Sequence, residues 1–311
     1  MPTRKHFDRR HFLQLTAAVV TTSALCPLNT LAGERPVKRS LKKGYMLNTF
    51  PGGKKAISVL EQFKMLKEAG FEGVEPSSEL DPEEVLKARD ATGLTIASMS
   101  CGTTTRSFSS ANAMVREKAV QALVRELKNA KDYGATSVLV VPGGVSADVS
   151  YVENYQRCQE CIRKALPTAE KLGVKMALEN VWNNFLLSPL EAVRFVDDFK
   201  SPWVGWHFDV GNVMYIGWPE HWIRALDKRI AKVHIKEFSR KKMNEQGLRA
   251  GFSVEYLEGD NNWARVMKAF DDINYNGWFI IESSCASCKQ GMEPMDYLTK
   301  VSAELDKIIA S

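Results

Sequence analysis

The chain has 311 residues, of which 44% are hydrophobic and 25% charged, and its mean hydropathy is −0.25. This composition is typical of a globular protein whose core is large enough to fold without disulfides, and the length suits a single α/β barrel. The formal net charge is +5, and because residues 1–32 supply +3 of it, the remainder carries about +2. The sequence contains no clustered basic stretch, which argues against a nucleic-acid binder.

The first 32 residues have the pattern of an export signal. Two arginines, in the order RRHFLQ from residue 9, precede a modestly apolar run from Leu15 to Leu25, and Thr30-Leu31-Ala32 offers small residues at a cleavage site. The order resembles the twin-arginine signal of bacteria, so we expect the mature protein to be periplasmic or secreted. A disordered or membrane-anchoring N-terminus is the alternative, although the run is short and rich in Thr and Ala for a membrane span.

Six cysteines are present, and four of them form two CxxC pairs, Cys158/Cys161 and Cys285/Cys288. The pairs are far apart in the sequence, and the first lies in a polar stretch where helical spacing puts both thiols on one face. The sequence therefore favours free structural thiols over a structural zinc ion or a disulfide.

After a linker predicted over residues 33–43, short apolar runs alternate with longer amphipathic runs. Eight strands are predicted, over residues 44–50, 73–76, 95–100, 137–141, 174–179, 204–209, 230–236 and 277–282. Helices are predicted near 57–69, from 81, near 111–133 and 152–172, after 189, and near 219–226, 262–273 and 294–309, with a long polar loop over 237–260. Strands such as SVLVV and WFII are continuously apolar, as in a buried parallel sheet. Eight such units over residues 44–311 predict a single-domain (β/α)₈ TIM barrel, and an open doubly wound sheet is the alternative.

Polar and charged side chains collect where the predicted strands end. They are Glu75 on the second strand, Glu179 and Asn180 on the fifth, His207 and Asp209 on the sixth, His234, Lys236 and Glu237 on the seventh, and Glu282 on the eighth. In a barrel these strand ends form one mouth, which is where active sites lie.

Four of these residues, Glu179, Asp209, His234 and Glu282, would lie around one arc of that mouth. Three carboxylates so close together repel one another, and a divalent cation removes that penalty. Carboxylate oxygens and an imidazole nitrogen suit Mn²⁺, Mg²⁺, Zn²⁺ or Co²⁺. The sequence therefore predicts a site for one divalent metal ion.

Five stretches of the chain resemble the xylose-isomerase-like barrels, a family of sugar and sugar-phosphate isomerases and epimerases. They are MALENVWNNF at 176–185, WHFDVGN at 206–212, AKVHIKEF at 231–238, YLEGDNNW at 256–263 and GWFIIES at 277–283. In that family the Glu, Asp, His and Glu of these motifs bind the metal, which implies Glu179, Asp209, His234 and Glu282 here. Tagatose- and psicose-type epimerases often carry a His three residues after the metal-binding Asp. This chain has Asn212 there, which looks closer to pentulose-phosphate epimerases and exported relatives.

The resemblance implies a metal-dependent sugar isomerase or epimerase that removes a proton next to a carbonyl and passes through a metal-stabilised enediolate. Glu179 and Glu282, on opposite faces of the substrate, are the expected acid and base. The side chains expected to bind the sugar are Glu75, Asn180, Trp182, Asn183, His207 and Lys236.

Other outcomes stay open at this point. Loss of a β-substituent from a keto-sugar or keto-glycoside would make the protein a lyase or dehydratase, and a hydride shift would make it an aldose–ketose isomerase. A non-catalytic sugar-binding barrel is a further alternative, although binding alone does not require two opposed carboxylates. A nuclease with a metal cluster is disfavoured because only three histidines lie outside the predicted signal.

The expected partner is a small carbohydrate, and no nucleic acid or stable membrane span of the mature chain is expected. The sequence is compatible with a homo-oligomer. Export favours neutral or oxidised sugars and glycosides as substrates, because sugar phosphates are mainly cytoplasmic.

Overall fold

Nine parallel strands form the centre of the molecule in a computed structural model that describes residues 39–52, 57–283 and 291–311. The strands are β1 (Lys42–Met46), β2 (Gly73–Glu75), β3 (Thr95–Ile96), β4 (Met99–Ser100), β5 (Ser137–Val140), β6 (Lys175–Glu179), β7 (Val204–Asp209), β8 (Ile230–Ile235) and β9 (Trp278–Ile281). Their hydrogen-bonded order is β3-β2-β1-β9-β8-β7-β6-β5-β4. The two ends of this order are successive pieces of chain, so the strands form a nearly closed barrel, and the predicted TIM-barrel fold is confirmed.

The third predicted strand, residues 95–100, is interrupted. Ile96 of β3 is in register with Val74 of β2, whereas Met99 of β4 is in register with Val138 of β5. Two residues without ladder pairing separate the two pieces, and Ser100 then reaches both sides, since it bridges Ser77 after β2 and is in register with Leu139 of β5. The prediction of a single strand is therefore wrong at residues 97 and 98, where the barrel closes.

Eleven α-helices follow the strands in the described part of the chain. They are α1 (Val59–Glu68), α2 (Pro82–Thr92), α3 (Gly102–Thr105), α4 (Ala113–Tyr133), α5 (Tyr151–Leu172), α6 (Pro189–Asp197), α7 (Val210–Val213), α8 (Pro219–Leu226), α9 (Arg240–Gln246), α10 (Trp263–Asp272) and α11 (Pro294–Ala310). Short 3₁₀ segments cover Leu47–Thr49, Arg106–Ser109, Asp227–Arg229 and Leu248–Phe252.

Local sequence signals explain where several helices begin and end. The Asp81 carboxylate accepts hydrogen bonds from the backbone N–H groups of Glu83 (2.8 Å) and Glu84 (3.2 Å) at the start of α2. Pro82 occupies the first turn, and Gly93 ends the helix at a φ of 69°, in the left-handed region. The predicted cap at Asp81 is confirmed.

Two boundaries differ from the prediction. β1 begins at Lys42, inside the predicted linker, and its predicted C-terminal half is the 3₁₀ turn Leu47–Thr49. The predicted polar loop over 237–260 contains α9 and the 3₁₀ segment Leu248–Phe252. Ser239 begins α9 by accepting a hydrogen bond from the backbone N–H of Lys242.

The strand ends place the polar residues at one mouth of the barrel. Glu75, Glu179 and Asp209 are the last residues of β2, β6 and β7. Glu179 is in register with His207, and Asp209 is in register with His234 of β8. Because all strands are parallel, these side chains lie at the same level of the barrel, above its apolar interior.

The structure bears on the remaining sequence predictions only in part. Cys158 and Cys161 are buried free thiols on α5, as predicted. The predicted signal, Cys285 and Cys288 lie outside the described residues. Within the described ranges, no helix has both the length and the apolar composition needed to cross a bilayer.

Candidate active site and metal centre

Four side chains from four adjacent strands of the barrel meet at its mouth. Glu179, Asp209, His234 and Glu282 each offer one donor atom, and these atoms lie within 4.8 Å of one another. Nδ1 of His234 is 3.1 Å from Oε1 of Glu179 and 2.9 Å from Oε2 of Glu282. The structure therefore brings together the four residues that the sequence predicted as metal ligands.

The Lys236 ammonium belongs to the same cluster. Its Nζ lies 2.7 Å from Oε1 of Glu282 and 3.0 Å from Oδ2 of Asp209. Burial disfavours this charge, but the carboxylates of Asp209, Glu282 and Glu179 raise the pKa of Lys236 above its usual value. Lys236 is therefore a fixed cation beside the three carboxylates.

Lys236 and His234 do not stabilise the negative charge of the three carboxylates equally. Burial raises the pKa of Glu179 and raises the pKa of Asp209 to about 7. Burial acts on Glu282 in the same direction, but Lys236 and His234 outweigh it and hold the pKa of Glu282 well below its usual value. Two of the three carboxylates are thus poorly stabilised as anions by protein groups alone.

Glu75 binds the opposite nitrogen of the His234 ring. Its Oε1 lies 3.0 Å from Nε2 of His234, and its Oε2 accepts a hydrogen bond from the Ser98 hydroxyl. Burial disfavours charge on His234, but Glu75 and the other neighbouring carboxylates raise its pKa well above the usual value. A Glu75 carboxylate that accepts the Nε2 proton leaves Nδ1 facing the cluster, which is the orientation a metal-binding histidine needs.

His207 lies beside His234, with ring centroids 4.0 Å apart. It is fully buried, and burial together with His234 lowers its pKa well below the usual value. Neither ring nitrogen has a hydrogen-bond partner among the described residues. His207 is therefore a neutral ring packed against His234, and its donor atom groups with Glu75 and His234 and not with the other three residues of the cluster.

Two asparagines hold Asp209 in place. Asn180 Nδ2 donates to the backbone oxygen of Asp209 (2.8 Å), and its Oδ1 accepts from the backbone N–H of Asp209 (3.0 Å). The backbone N–H of Asn212 donates to Oδ1 of Asp209 at 2.7 Å. Because Oδ1 is taken, Oδ2 is the atom that faces the cluster.

A cavity of about 400 Å³ opens above these residues, a size that suits a small ligand. Its walls include Asn48, Ser100, Thr103, Arg106, Glu179, Trp182, Asn212, Lys236, Arg249, Phe252 and Glu282. The predicted catalytic pair and two of the predicted sugar-binding residues, Trp182 and Lys236, thus lie on the cavity wall.

The other four predicted sugar-binding residues do not line this cavity. Glu75 and His207 are fully buried, and Asn180 and Asn183 are nearly so. Both ends of the Asn180 amide are bound to main-chain or indole groups, and Asn183 Nδ2 donates to the backbone oxygen of Gly143 at 2.8 Å. As sugar contacts these four residues stay predictions, and in this structure their polar groups lie below the cavity or are bound to other groups of the barrel.

One wall of the cavity is aromatic. The rings of Trp182 and Phe252 are 4.7 Å apart, and Lys236 Nζ lies 5.2 Å from the centre of the Phe252 ring. Trp182 is fixed from below, since its Nε1 donates to the backbone oxygen of Asn212 at 3.0 Å. Such a wall suits an apolar face of a ligand, and the Phe252 ring lies at cation–π distance from the Lys236 ammonium.

Phe252 and Arg249 are carried by the 3₁₀ segment after α9, which sequence reasoning described only as a polar loop. Glu237 anchors this segment at its base. Its carboxylate accepts hydrogen bonds from Trp263 Nε1 (2.9 Å) and from the backbone N–H groups of Phe238 (3.1 Å) and Leu257 (3.0 Å). Loop residues of this kind show no periodicity, so only their position after a strand end could have singled them out.

The four-residue cluster fits a divalent cation. It combines three carboxylates with an imidazole nitrogen, a set of donors that Mn²⁺, Mg²⁺, Zn²⁺ and Co²⁺ accept. Oδ2 of Asp209 and Oε2 of Glu282 are buried without a hydrogen bond of acceptable geometry to the described residues, although each lies near a cationic group. A cation in contact with these oxygens would satisfy both.

Comparison with known proteins agrees with the barrel fold. The model of the xylose isomerase-like TIM barrel family matches residues 63–305, a range that contains all four donors. The chain belongs to this family. An inosose dehydratase of Clostridium perfringens is 26% identical to it over 243 residues, which cover 69% of this chain and 78% of that protein.

Solved structures share the fold of this xylose isomerase-like barrel at low sequence identity. An L-ribulose 3-epimerase superposes with a TM-score of 0.70 at 20% identity, over 87% of this chain and 95% of that one. The IOLI protein, solved with a bound zinc atom, gives a TM-score of 0.69 at 13% identity, over 86% and 98%. Proteins that share this fold thus include a sugar epimerase and a protein solved with a bound zinc atom.

The anchor at Glu237 generates a prediction. Glu237→Ala removes the acceptor of several buried N–H donors, so we expect the free energy of unfolding to fall by about 1–3 kcal/mol. We also expect faster amide hydrogen exchange over residues 240–252, measured by mass spectrometry. Glu245→Ala, on the exposed side of α9, is the matched control. Unchanged exchange over 240–252 in Glu237→Ala would contradict the anchoring role.

Proposed function

We propose that this protein is a divalent-metal-dependent sugar isomerase or epimerase that moves a proton at the carbon next to a sugar carbonyl. One observation carries the proposal. Glu179 and Glu282 belong to the four-donor cluster and also line the cavity, so the same two carboxylates reach both a cation and a ligand. A binding protein has no use for a second proton carrier at this point.

Glu179 and Glu282 have the positions that proton transfer requires. They come from β6 and from the end of β9, with β7 and β8 between them, so they approach a ligand in the cavity from different sides. One carboxylate removes the proton and the other returns it to the opposite face, which inverts the carbon. Such a pair contributes roughly 10²–10⁴-fold to the rate.

Neighbouring groups orient the substrate during this transfer. The Lys236 ammonium, 2.7 Å from Glu282, donates a hydrogen bond to a sugar oxygen on which negative charge develops. Trp182 covers an apolar face of the sugar and, with Phe252, excludes water from the reacting carbon. Glu75 holds His234 in its tautomer and orientation.

A single ion of Mn²⁺, Mg²⁺, Zn²⁺ or Co²⁺ would be held by Glu179, Asp209, His234 and Glu282. When bound, it supplies a Lewis acid that stabilises negative charge on the carbonyl oxygen by several kcal/mol. Periplasmic or secreted location and homo-oligomerisation stay predictions from the sequence.

A dehydratase is the second candidate, and the similarity to an inosose dehydratase favours it. The first step is the same proton removal next to a carbonyl. The outcome differs when the proton is delivered to the hydroxyl on the next carbon and not back to the first carbon, because that hydroxyl then leaves as water, which gives elimination instead of inversion. Analysis of the product by NMR separates the two: a new stereocentre in an intact sugar indicates an epimerase, and loss of water indicates a dehydratase.

The roles of the two carboxylates can be tested by solvent deuterium exchange into keto-sugars. We expect Glu179→Gln and Glu282→Gln to lower the exchange rate roughly 10²–10⁴-fold, because each removes a proton carrier. The measurement is NMR of the exchanging C–H signal in deuterium oxide. Glu258→Gln, an exposed substitution on the same mouth loop, is expected to exchange at the normal rate.

Asp209→Asn distinguishes proton transfer from metal binding. Asp209 is a donor of the cluster but not a wall of the cavity, so excess metal is expected to restore part of its exchange. The same excess is expected to leave Glu179→Gln and Glu282→Gln inactive. Equal rescue of all three variants would show that the glutamates only bind metal, and full activity of either glutamine variant would refute the assigned roles.

The role of Glu75 generates a separate prediction about the metal. Glu75→Gln removes the carboxylate that orients His234, so we expect the affinity for Mn²⁺ to fall about 10–100-fold, measured by calorimetry. Glu72→Gln, three residues earlier and exposed, serves as the control. An unchanged Mn²⁺ affinity in Glu75→Gln would rule out this orienting role.

A further inference from the structure

The walls of the cavity carry more cationic side chains than acidic ones. Three cationic side chains line it, Arg106, Lys236 and Arg249, whereas Glu179 and Glu282 are its only acidic residues within the described chain. Lys236 already pairs with Glu282, and both glutamates share a cation site with Asp209 and His234. With a divalent cation bound, that cation and Lys236 would balance the three carboxylates of the cluster, and the two arginines are not needed for this balance.

Arg106 and Arg249 make no ion pair or side-chain hydrogen bond within the described part of the chain. Arg240, by contrast, is bound to the main chain. Arg240, on the same loop as Arg249, donates to the backbone oxygens of Met214 (3.0 Å) and Gly217 (2.6 Å). Arg240 thus holds its loop in place, whereas the guanidinium groups of Arg106 and Arg249 make no such bond within the described residues.

The topology places the two arginines on opposite sides of the mouth. Arg106 follows β4 and α3, and Arg249 follows β8 and α9. Along the hydrogen-bonded order, β4 and β8 are separated by β5, β6 and β7 on one side and by β9, β1, β2 and the short β3 on the other. The two guanidinium groups therefore reach the same cavity from loops that follow different parts of the barrel.

The geometry points to a subsite for an anionic group on the substrate, and this inference rests on the proposed function. We infer that Arg106 and Arg249 bind a carboxylate or phosphate at the end of a keto-sugar remote from the carbonyl. The planar guanidinium matches the geometry of both groups with paired N–H donors. A cavity of about 400 Å³ holds one sugar with such a group between the cluster and the rim.

The test compares three ligands that share the same carbonyl end: D-fructose, D-fructuronate, which carries a carboxylate at the remote end, and D-fructose 6-phosphate. Binding to the Mn²⁺-loaded full chain is measured by calorimetry, with inorganic phosphate alone as a fourth probe. We expect at least one of the two charged sugars to bind about tenfold more tightly than D-fructose. The carboxylate and phosphate arms then identify which anion the subsite takes.

Substitutions assign the effect to the two arginines. Arg106→Ala and Arg249→Ala are each expected to reduce the preference for the charged sugar several-fold, and Arg→Lys to restore part of it. Lys241→Ala removes one positive charge from the same loop outside the cavity wall and is expected to keep the preference. Deuterium exchange into the bound sugar, recorded separately, reports on the proposed function.

The results separate the two ideas. A preference for a charged sugar that both arginine variants lose supports the subsite, even when no deuterium exchange is seen, in which case the proposed function alone fails. Equal binding of charged and neutral sugars overturns the subsite. So does a preference that persists in both arginine variants, or the absence of binding by all four probes.

Discussion

The repulsion between three buried carboxylates is the constraint on which the rest of the site depends. Parallel strands bring Glu179, Asp209 and Glu282 to one level of the barrel, where two like charges about 4 Å apart repel by about 4 kcal/mol at an effective dielectric constant of about 20. Lys236 and His234 offset part of this. A divalent cation would offset the rest, and in the proposed function the same cation would make a sugar carbonyl easier to deprotonate. The stability of the cluster and the proposed chemistry would then depend on the same ion.

The sequence predicted the barrel and the four donors because both follow from short-range patterns. Continuously apolar runs mark buried parallel strands, and the residues that end them, such as Glu179 and Asp209, must meet at one mouth. Which of the predicted sugar-binding residues line the cavity does not follow from such patterns, for a physical reason. Whether Glu75 or Asn180 reaches the cavity depends on partners distant in sequence, Ser98 and His234 for Glu75 and the Asp209 backbone for Asn180. No local pattern contains that information.

In the proposed function, the loops around the cavity determine which reaction the site performs. The fold is shared with solved sugar epimerases, and an inosose dehydratase is similar in sequence. In the proposed function, the walls of the cavity therefore determine which sugar binds and whether its β-hydroxyl is lost. In this protein one wall is formed by the aromatic rings of Trp182 and Phe252, and the cavity is also lined by the cationic side chains of Arg106 and Arg249. Glu237 follows the strand that carries His234, and its carboxylate binds Leu257 and Trp263 beyond the segment that carries Phe252. It therefore connects this wall of the cavity to the strand of the four-donor cluster.

The most direct test of the metal centre is a crystal structure of the protein grown with Mn²⁺, with anomalous scattering recorded at the manganese edge. The account predicts one strong anomalous peak in contact with Glu179, Asp209, His234 Nδ1 and Glu282, with Glu75 still bound to Nε2 of His234. An absence of anomalous signal among these four residues at saturating Mn²⁺, with Lys236 and His234 as the only cations beside the carboxylates, would contradict it.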